Sequence, residues 1–150
     1  MNSEQRLRVT GELEMLLADF WHDVDTNWGR RAAQFYTEDG VFEASQYSYR
    51  GRGKIDEFYQ FRQNRGPRVA LHAVTNFRAV PQDERTAIST WYLLLYASDG
   101  EPILPSAAPI QIALATDLCV KEGDGQWRYK HRKFEVWFKG GVPTTSPNLG

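Results

Sequence analysis

Residues 69–77 read Val69-Ala70-Leu71-His72-Ala73-Val74-Thr75-Asn76-Phe77, and here the hydrophobic period of the chain changes from three or four residues to two. Alternate side chains of a strand share a face, so Ala70, His72, Val74 and Asn76 fall together on one side of a sheet. This stretch opens a run of four long β-rich segments: Val69 to Val80, Arg85 to Ala97, Pro109 to Lys121 and Gln126 to Lys139. Ser98-Asp99-Gly100 and Gly123-Asp124-Gly125 supply turn chemistry between them. Upstream the pattern is helical. Leu13, Leu16, Leu17, Phe20, Trp21, Val24 and Trp28 form one amphipathic stripe that Gly29 can end. Arg30 to Tyr36 reads as a short second helix, stopped by a Thr37-Glu38-Asp39-Gly40 turn before an extended Val41-Phe42-Glu43-Ala44. Ile55, Phe58, Tyr59 and Arg62 share a face of a third helix, between Gly51-Arg52-Gly53 and Gly66-Pro67. Three helices followed by a meander of long strands imply an α+β fold with the helices gathered on one sheet face.

A chain of 150 residues is long enough for one domain with a core that needs no staples, and a single domain is expected over 1–150. With 18 basic and 19 acidic residues spread along it, the net charge of −1 creates no field to gather nucleic acid or an anionic membrane. The single cysteine, Cys119, cannot form an internal disulfide, and no Cys/His spacing suggests a metal site. The start lacks a signal-peptide apolar region, and no apolar run approaches the roughly 20 residues that span a bilayer, so a cytoplasmic location is expected. Five Trp and eight Phe suit a core or pocket lined by large flat side chains. The segment Gly140 to Gly150, rich in Gly, Pro, Ser and Thr, reads as a loose tail or flap.

Three polar residues sit where apolar ones belong. Asp25 borders the buried stripe of the first helix, and is either a solvated helix-end acid or an inward one. His72 lies on an otherwise apolar strand face, either as a satisfied core histidine or as an acid–base group. Arg132 shares parity with Phe134, Val136 and Phe138, and a guanidinium there needs a carboxylate or a bound anion. Asp25 is a natural partner, and the three are expected to converge on one cavity. His131 alternates with Tyr129, Lys133 and Glu135 on what reads as the wet face. Tyr47 and Tyr49, leading into the third helix, could reach a pocket with their hydroxyls, as could Tyr92 on the second long strand. Together with Asn76 and Trp28 they are the candidates for substrate binding.

Several segments in order, Asp25-Thr26-Asn27-Trp28, Phe35 to Phe42, Arg50-Gly51-Arg52-Gly53-Lys54-Ile55, His72-Ala73-Val74-Thr75-Asn76 and Gly125-Gln126-Trp127-Arg128 before Arg132, carry a resemblance. From Leu13 to Phe138 the chain resembles the SnoaL-like branch of the NTF2-like superfamily, which includes scytalone dehydratase, hexachlorocyclohexane dehydrochlorinase and bile-acid 7α-dehydratase. That resemblance implies a cone, a strongly curved, mostly antiparallel sheet wrapped on helices around a pocket. It also implies a catalytic pair of Asp25 and His72, with Arg132, matching a last-strand arginine, and Tyr49, in a Tyr-Arg step of these lyases, as the candidates to stabilise developing negative charge. Val24 stands where scytalone dehydratase has a tyrosine, which counts against scytalone itself as substrate.

The activity so implied is a cofactor-free, dehydratase-like elimination on a small hydrophobic aromatic, polyketide or steroid-like molecule, with the Asp-His pair as general base. Carbon–carbon cleavage or isomerisation would use the same pair. A non-catalytic subunit, resembling the β-subunit of ring-hydroxylating dioxygenases, would use the fold without the chemistry. A homodimer or trimer is expected, because Trp91, Trp127 and Trp137 would otherwise be exposed and because the lyases of this branch suggest three copies.

Overall fold

The computed structural model describes residues 2–140, so residues 141–150 of the expected tail lie outside the described residues. Helix α1 (Ser3–Asn27) is longer than its apolar stripe, because Asn2 and Gln5 form a reciprocal capping box that starts it well before Leu13. Its buried stripe is Val9, Leu13, Leu17, Phe20, Trp21 and Val24. Full burial of each large apolar side chain contributes about 1.5–3 kcal/mol, so tertiary packing holds this helix. Trp28 adopts a left-handed conformation (φ 60°) at the helix end, which takes its side chain off the stripe.

The expected second helix is one short 3-10 helix, Ala32–Phe35. Strand β1 (Tyr36–Ala44) then starts earlier than expected and runs through the Thr37–Gly40 segment read as a turn. Strand β2 (Tyr47–Arg50) returns antiparallel to it, and helix α2 (Arg52–Asn64) buries Ile55, Phe58 and Tyr59. The four long strands are β3 (Arg68–Pro81), β4 (Thr86–Asp99), β5 (Gln111–Lys121) and β6 (Trp127–Lys139).

Together they make one curved six-stranded sheet in the order β2-β1-β6-β5-β4-β3, antiparallel except for the β1–β6 pair. The sheet is not closed, and β2 and β3 are its edges. Helix α1 packs against β3, and α2 against β1 and β2. The core lies between helices and sheet as a lattice of rings. Phe20 meets Phe35, Tyr36 and Tyr129 edge-on at 5.5–6.1 Å, and Trp21 meets Trp91 at 5.9 Å.

Bulges redirect β6 and β3. In β6 the register slips between Tyr129 and His131, so Tyr129 and Arg132 both point inward. Tyr129 is thus buried rather than on the wet face. A second slip between Val136 and Phe138 leaves Phe138 exposed, although its parity read as inward. In β3 the slip between Thr75 and Arg78 contains Asn76 at φ 56°.

Candidate active site

An edge strand leaves backbone N–H groups unpaired on its open side, and α1 covers that edge of β3. Asp25, in the last turn of α1, answers the need at His72. Its Oδ2 accepts the His72 backbone N–H at 3.0 Å, while its Oδ1 lies 2.6 Å from the ring Nδ1. One carboxylate therefore fixes both the main chain and the imidazole. The helix dipole disfavours an anion at this end, and the two His72 contacts together with the nearby Arg62 charge compensate it. With Asp25 accepting, the proton sits on Nδ1 and the lone pair on Nε2.

The imidazole stacks on Trp21, ring centroids 4.0 Å apart and planes 5° from parallel, which fixes its remaining rotation. Burial pushes the His72 pKa below the ordinary imidazole value; the Asp25 bond opposes this, and the charges of Arg62 and Arg68 reinforce it. The balance is a neutral imidazole at neutral pH, held in one tautomer.

His72 opens onto a cavity of about 80 Å³. Its apolar wall includes Trp21, Phe42, Phe58, Leu93 and Phe134, and its polar wall Tyr59, Arg62, Arg68 and Gln111. A small hollow beside it, lined by Asp25, Trp28 and Ala70, shares Arg62 and Arg68 with it. Larger hollows, about 320 and 420 Å³, lie elsewhere and hold neither Asp25 nor His72. A space of 80 Å³ takes the reacting end of a substrate but is below the usual 300–1,000 Å³ of a ligand pocket. A polyketide or steroid must extend outside it.

The expected Asp25–Arg132 pair does not form. Arg132 is fully buried and bonds Asp117, directly opposite it on β5, through Nε and Nη2 at 2.7 and 2.9 Å. Trp91 Nε1 donates to the same carboxylate at 2.9 Å. The guanidinium lies over the rings of Tyr129 (3.8 Å) and Phe20 (4.6 Å). Arg132 therefore lies behind Trp21, 5.7 Å from that ring, and not on the cavity wall. Of the three residues expected to converge, Asp25 and His72 do so.

The substrate-binding candidates also divide. Trp28 lines the small hollow beside Asp25. Tyr49 packs between Phe42 and Phe58, its hydroxyl buried without a hydrogen-bond partner among the described residues, and it does not line the cavity. Tyr47 packs against the core from β2 and is likewise absent from the cavity wall. The β3 bulge turns Asn76 out to an exposed position, where its Oδ1 accepts the Thr75 hydroxyl. Tyr92 points to the outer sheet face and packs on Trp137 at 5.4 Å.

Four residues at or behind the site, Arg62, Asp117, Tyr59 and Arg68, are not among the candidates that the sequence offers. Arg62 carried a signal, since it shares the apolar face of α2 with Phe58 and Tyr59. Asp117 carried one too, sharing inward parity on β5 with Ala113, Ala115 and Cys119. Tyr59, whose phenol burial pushes up to about 12, stays a proton donor at the cavity. Arg68, at the very start of β3, carried no periodic signal. Among the described residues no three His, Cys, Asp or Glu side chains converge as a metal-ligand set, and no helix is long and apolar enough to cross a membrane.

A half-open, curved six-stranded sheet wrapped on two helices defines the NTF2-like α+β class. Within that class the chain belongs to the SnoaL-like domain family, whose model matches residues 5–133. Among curated protein sequences none matches the chain significantly. Among solved structures, a scytalone dehydratase candidate from Novosphingobium aromaticivorans superposes with a TM-score of 0.79 at 18% identity, covering 99% of both chains. ActVI-ORFA of Streptomyces coelicolor is similar at 0.73 and 18%, over 85% of this chain and 96% of that one. An aromatic ring hydroxylase candidate, again from N. aromaticivorans, gives 0.70 and 19%, over 92% of each. At these identities the likeness establishes the fold.

Proposed function

We propose that the protein is a lyase that needs no cofactor and catalyses a dehydratase-like elimination, with Asp25 and His72 as its general-base pair. The observation that carries this reading is the 2.6 Å contact between Asp25 and a neutral, stacked imidazole that opens onto a cavity with one apolar and one polar wall. In the proposed step His72 Nε2 takes a proton from a carbon next to an electron-withdrawing group. The C–H electron pair becomes the new double bond as the bond to a β-hydroxyl breaks. The imidazolium then gives its proton to the departing hydroxyl, water leaves, and the histidine is neutral again. Asp25 stabilises the imidazolium between those events, as the carboxylate of a catalytic triad does.

General-base catalysis of this kind contributes roughly 10²–10⁴-fold. The remainder must come from stabilising charge that develops on the substrate, and Tyr59, Arg62 and Arg68 line the cavity for that task. The same pair would support carbon–carbon cleavage or double-bond migration. The small cavity favours a second reading, a ligand-binding or assembly subunit without chemistry. A screen of hydroxylated aromatics, polyketide-like alcohols and steroid alcohols, followed by ultraviolet absorbance, separates the two. Elimination should appear with the wild-type protein and be lost in His72→Ala, whereas tight binding without turnover across the panel would favour the subunit.

A further inference from the structure

Two arginines face this cavity with donors unspent. Arg62 makes no hydrogen bond or ion pair among the described residues, and its guanidinium lies 5.6 Å from the Tyr59 ring centroid. The Arg68 side chain is only 5% exposed, its Nε has no hydrogen-bond partner among the described residues, and its Nη1 reaches Asp99 at 4.0 Å. That carboxylate is already held by both terminal nitrogens of Arg65 at 3.0 and 3.4 Å, so it compensates Arg68 weakly.

The local charge is unbalanced. Arg65 and Asp99 cancel, His72 is neutral, and among the described residues that line the two hollows the cations Arg62 and Arg68 face one anion, Asp25. A buried guanidinium that lacks a partner is costly, and burial pulls the pKa of Arg68 down to about 10. One negative charge placed between the arginines would restore neutrality and engage idle donors, and a planar carboxylate matches the guanidinium fork.

From this juxtaposition we infer that Arg62 and Arg68 form an anion subsite, and that the natural ligand carries a carboxylate on the part that enters the cavity beside His72. The inference rests on the reading that this cavity is where the ligand binds, and it narrows the substrate class from neutral aromatic or steroid alcohols to organic acids. It also couples binding to chemistry. The charged groups facing His72 are Asp25, Arg62 and Arg68, and a carboxylate that neutralises the arginines removes their opposition to imidazole protonation. The histidine becomes a stronger base when the substrate is in place.

The test compares benzoate with its neutral isostere benzamide, by calorimetry and by proton NMR of the His72 ring. Benzoate should bind at least tenfold more tightly than benzamide and raise the His72 pKa. Its affinity should fall at least tenfold in Arg68→Gln and Arg62→Gln, with benzamide unchanged, and should survive His72→Ala. Far-ultraviolet circular dichroism checks that the arginine variants fold. If they do not, the wild-type benzoate–benzamide contrast and its loss in high chloride decide the matter. Equal affinities, or benzoate binding that leaves the His72 pKa in place, would overturn the anion subsite. Turnover of neutral alcohols that depends on His72, without benzoate binding, would sink the subsite and leave the lyase standing. Benzoate binding without any turnover would do the reverse.

Discussion

His72 and Arg132 are both buried and polar in a hydrophobic setting, yet their partners give them different work. The sequence showed each as an anomaly through strand parity. It could not show which acid each would meet, because partner choice depends on register between strands far apart in the chain. Cross-strand pairing puts Asp117 opposite Arg132, and the edge position of β3 leaves His72 to the helix. Leaving one charge of a buried ion pair alone costs about 3–5 kcal/mol. Asp117→Asn should therefore lower the thermal midpoint by roughly 6–20 °C, at about 2–4 °C per kcal/mol for a chain of this size. A midpoint within a degree or two of wild type would show the pair to be dispensable. The depressed pKa of His72 gives a sign for pH. A base works deprotonated, so kcat/KM should be flat at neutral pH and fall only as pH drops through a value below that of ordinary imidazole. The same histidine costs stability in acid, since the folded protein takes up its proton less readily than the unfolded chain. That loss begins below about pH 6.5, the unfolded value, and is complete below the folded one. A kinetic pKa above 6.5 would contradict the desolvated imidazole.

Helix α1 was legible from its 3.6-residue stripe, and the long strands from their alternation, because both periods are local properties of the chain. The bulges were not. One extra residue inverts every later side chain of a strand, and that is why Tyr129 turned inward, Phe138 outward and Asn76 away from His72. The short connection after α1 bears directly on the cavity. A Cβ at Gly29 would lie 2.4 Å from Tyr59 Cδ1, and the residue sits at φ +71°. Gly29→Ala must therefore strain the backbone and push Tyr59, a cavity residue, off its place. Overpacking of this kind costs about 1–3 kcal/mol. Lower thermal stability together with weakened ligand binding is expected, and an alanine variant equal to wild type in both would show that Tyr59 moves freely.

At the scale of the molecule, two of the three tryptophans expected to drive self-association are buried within one chain, so any self-association must use another surface. Trp91 and Trp127 are core residues, and only Trp137, at 49% exposure, remains outside. The apolar side chains that the folded chain does present include Leu71, Tyr96 and Ile88 on the outer sheet face. We propose that this outer face, where apolar side chains stay exposed among the described residues, takes a second copy, so light scattering at micromolar concentration should return a dimer or trimer. A mass of 17.3 kDa, that of one chain, would refute it. Fold class and the order of the long elements are legible in sequence, whereas the Asp25–His72 pairing follows only from the family resemblance, since residue patterning alone set Asp25 against Arg132. Cavity size and the cationic wall are not legible there, since both depend on how α2 and the start of β3 meet. The most direct measurement of the general-base claim is a double-mutant cycle on turnover. His72→Ala and Asp25→Asn should each lower kcat by about 10²-fold or more with the fold intact, and the double variant should be little worse than His72→Ala alone, because the pair acts as a unit. Turnover by His72→Ala at near wild-type rate would return the histidine to the role of a satisfied residue at a covered sheet edge.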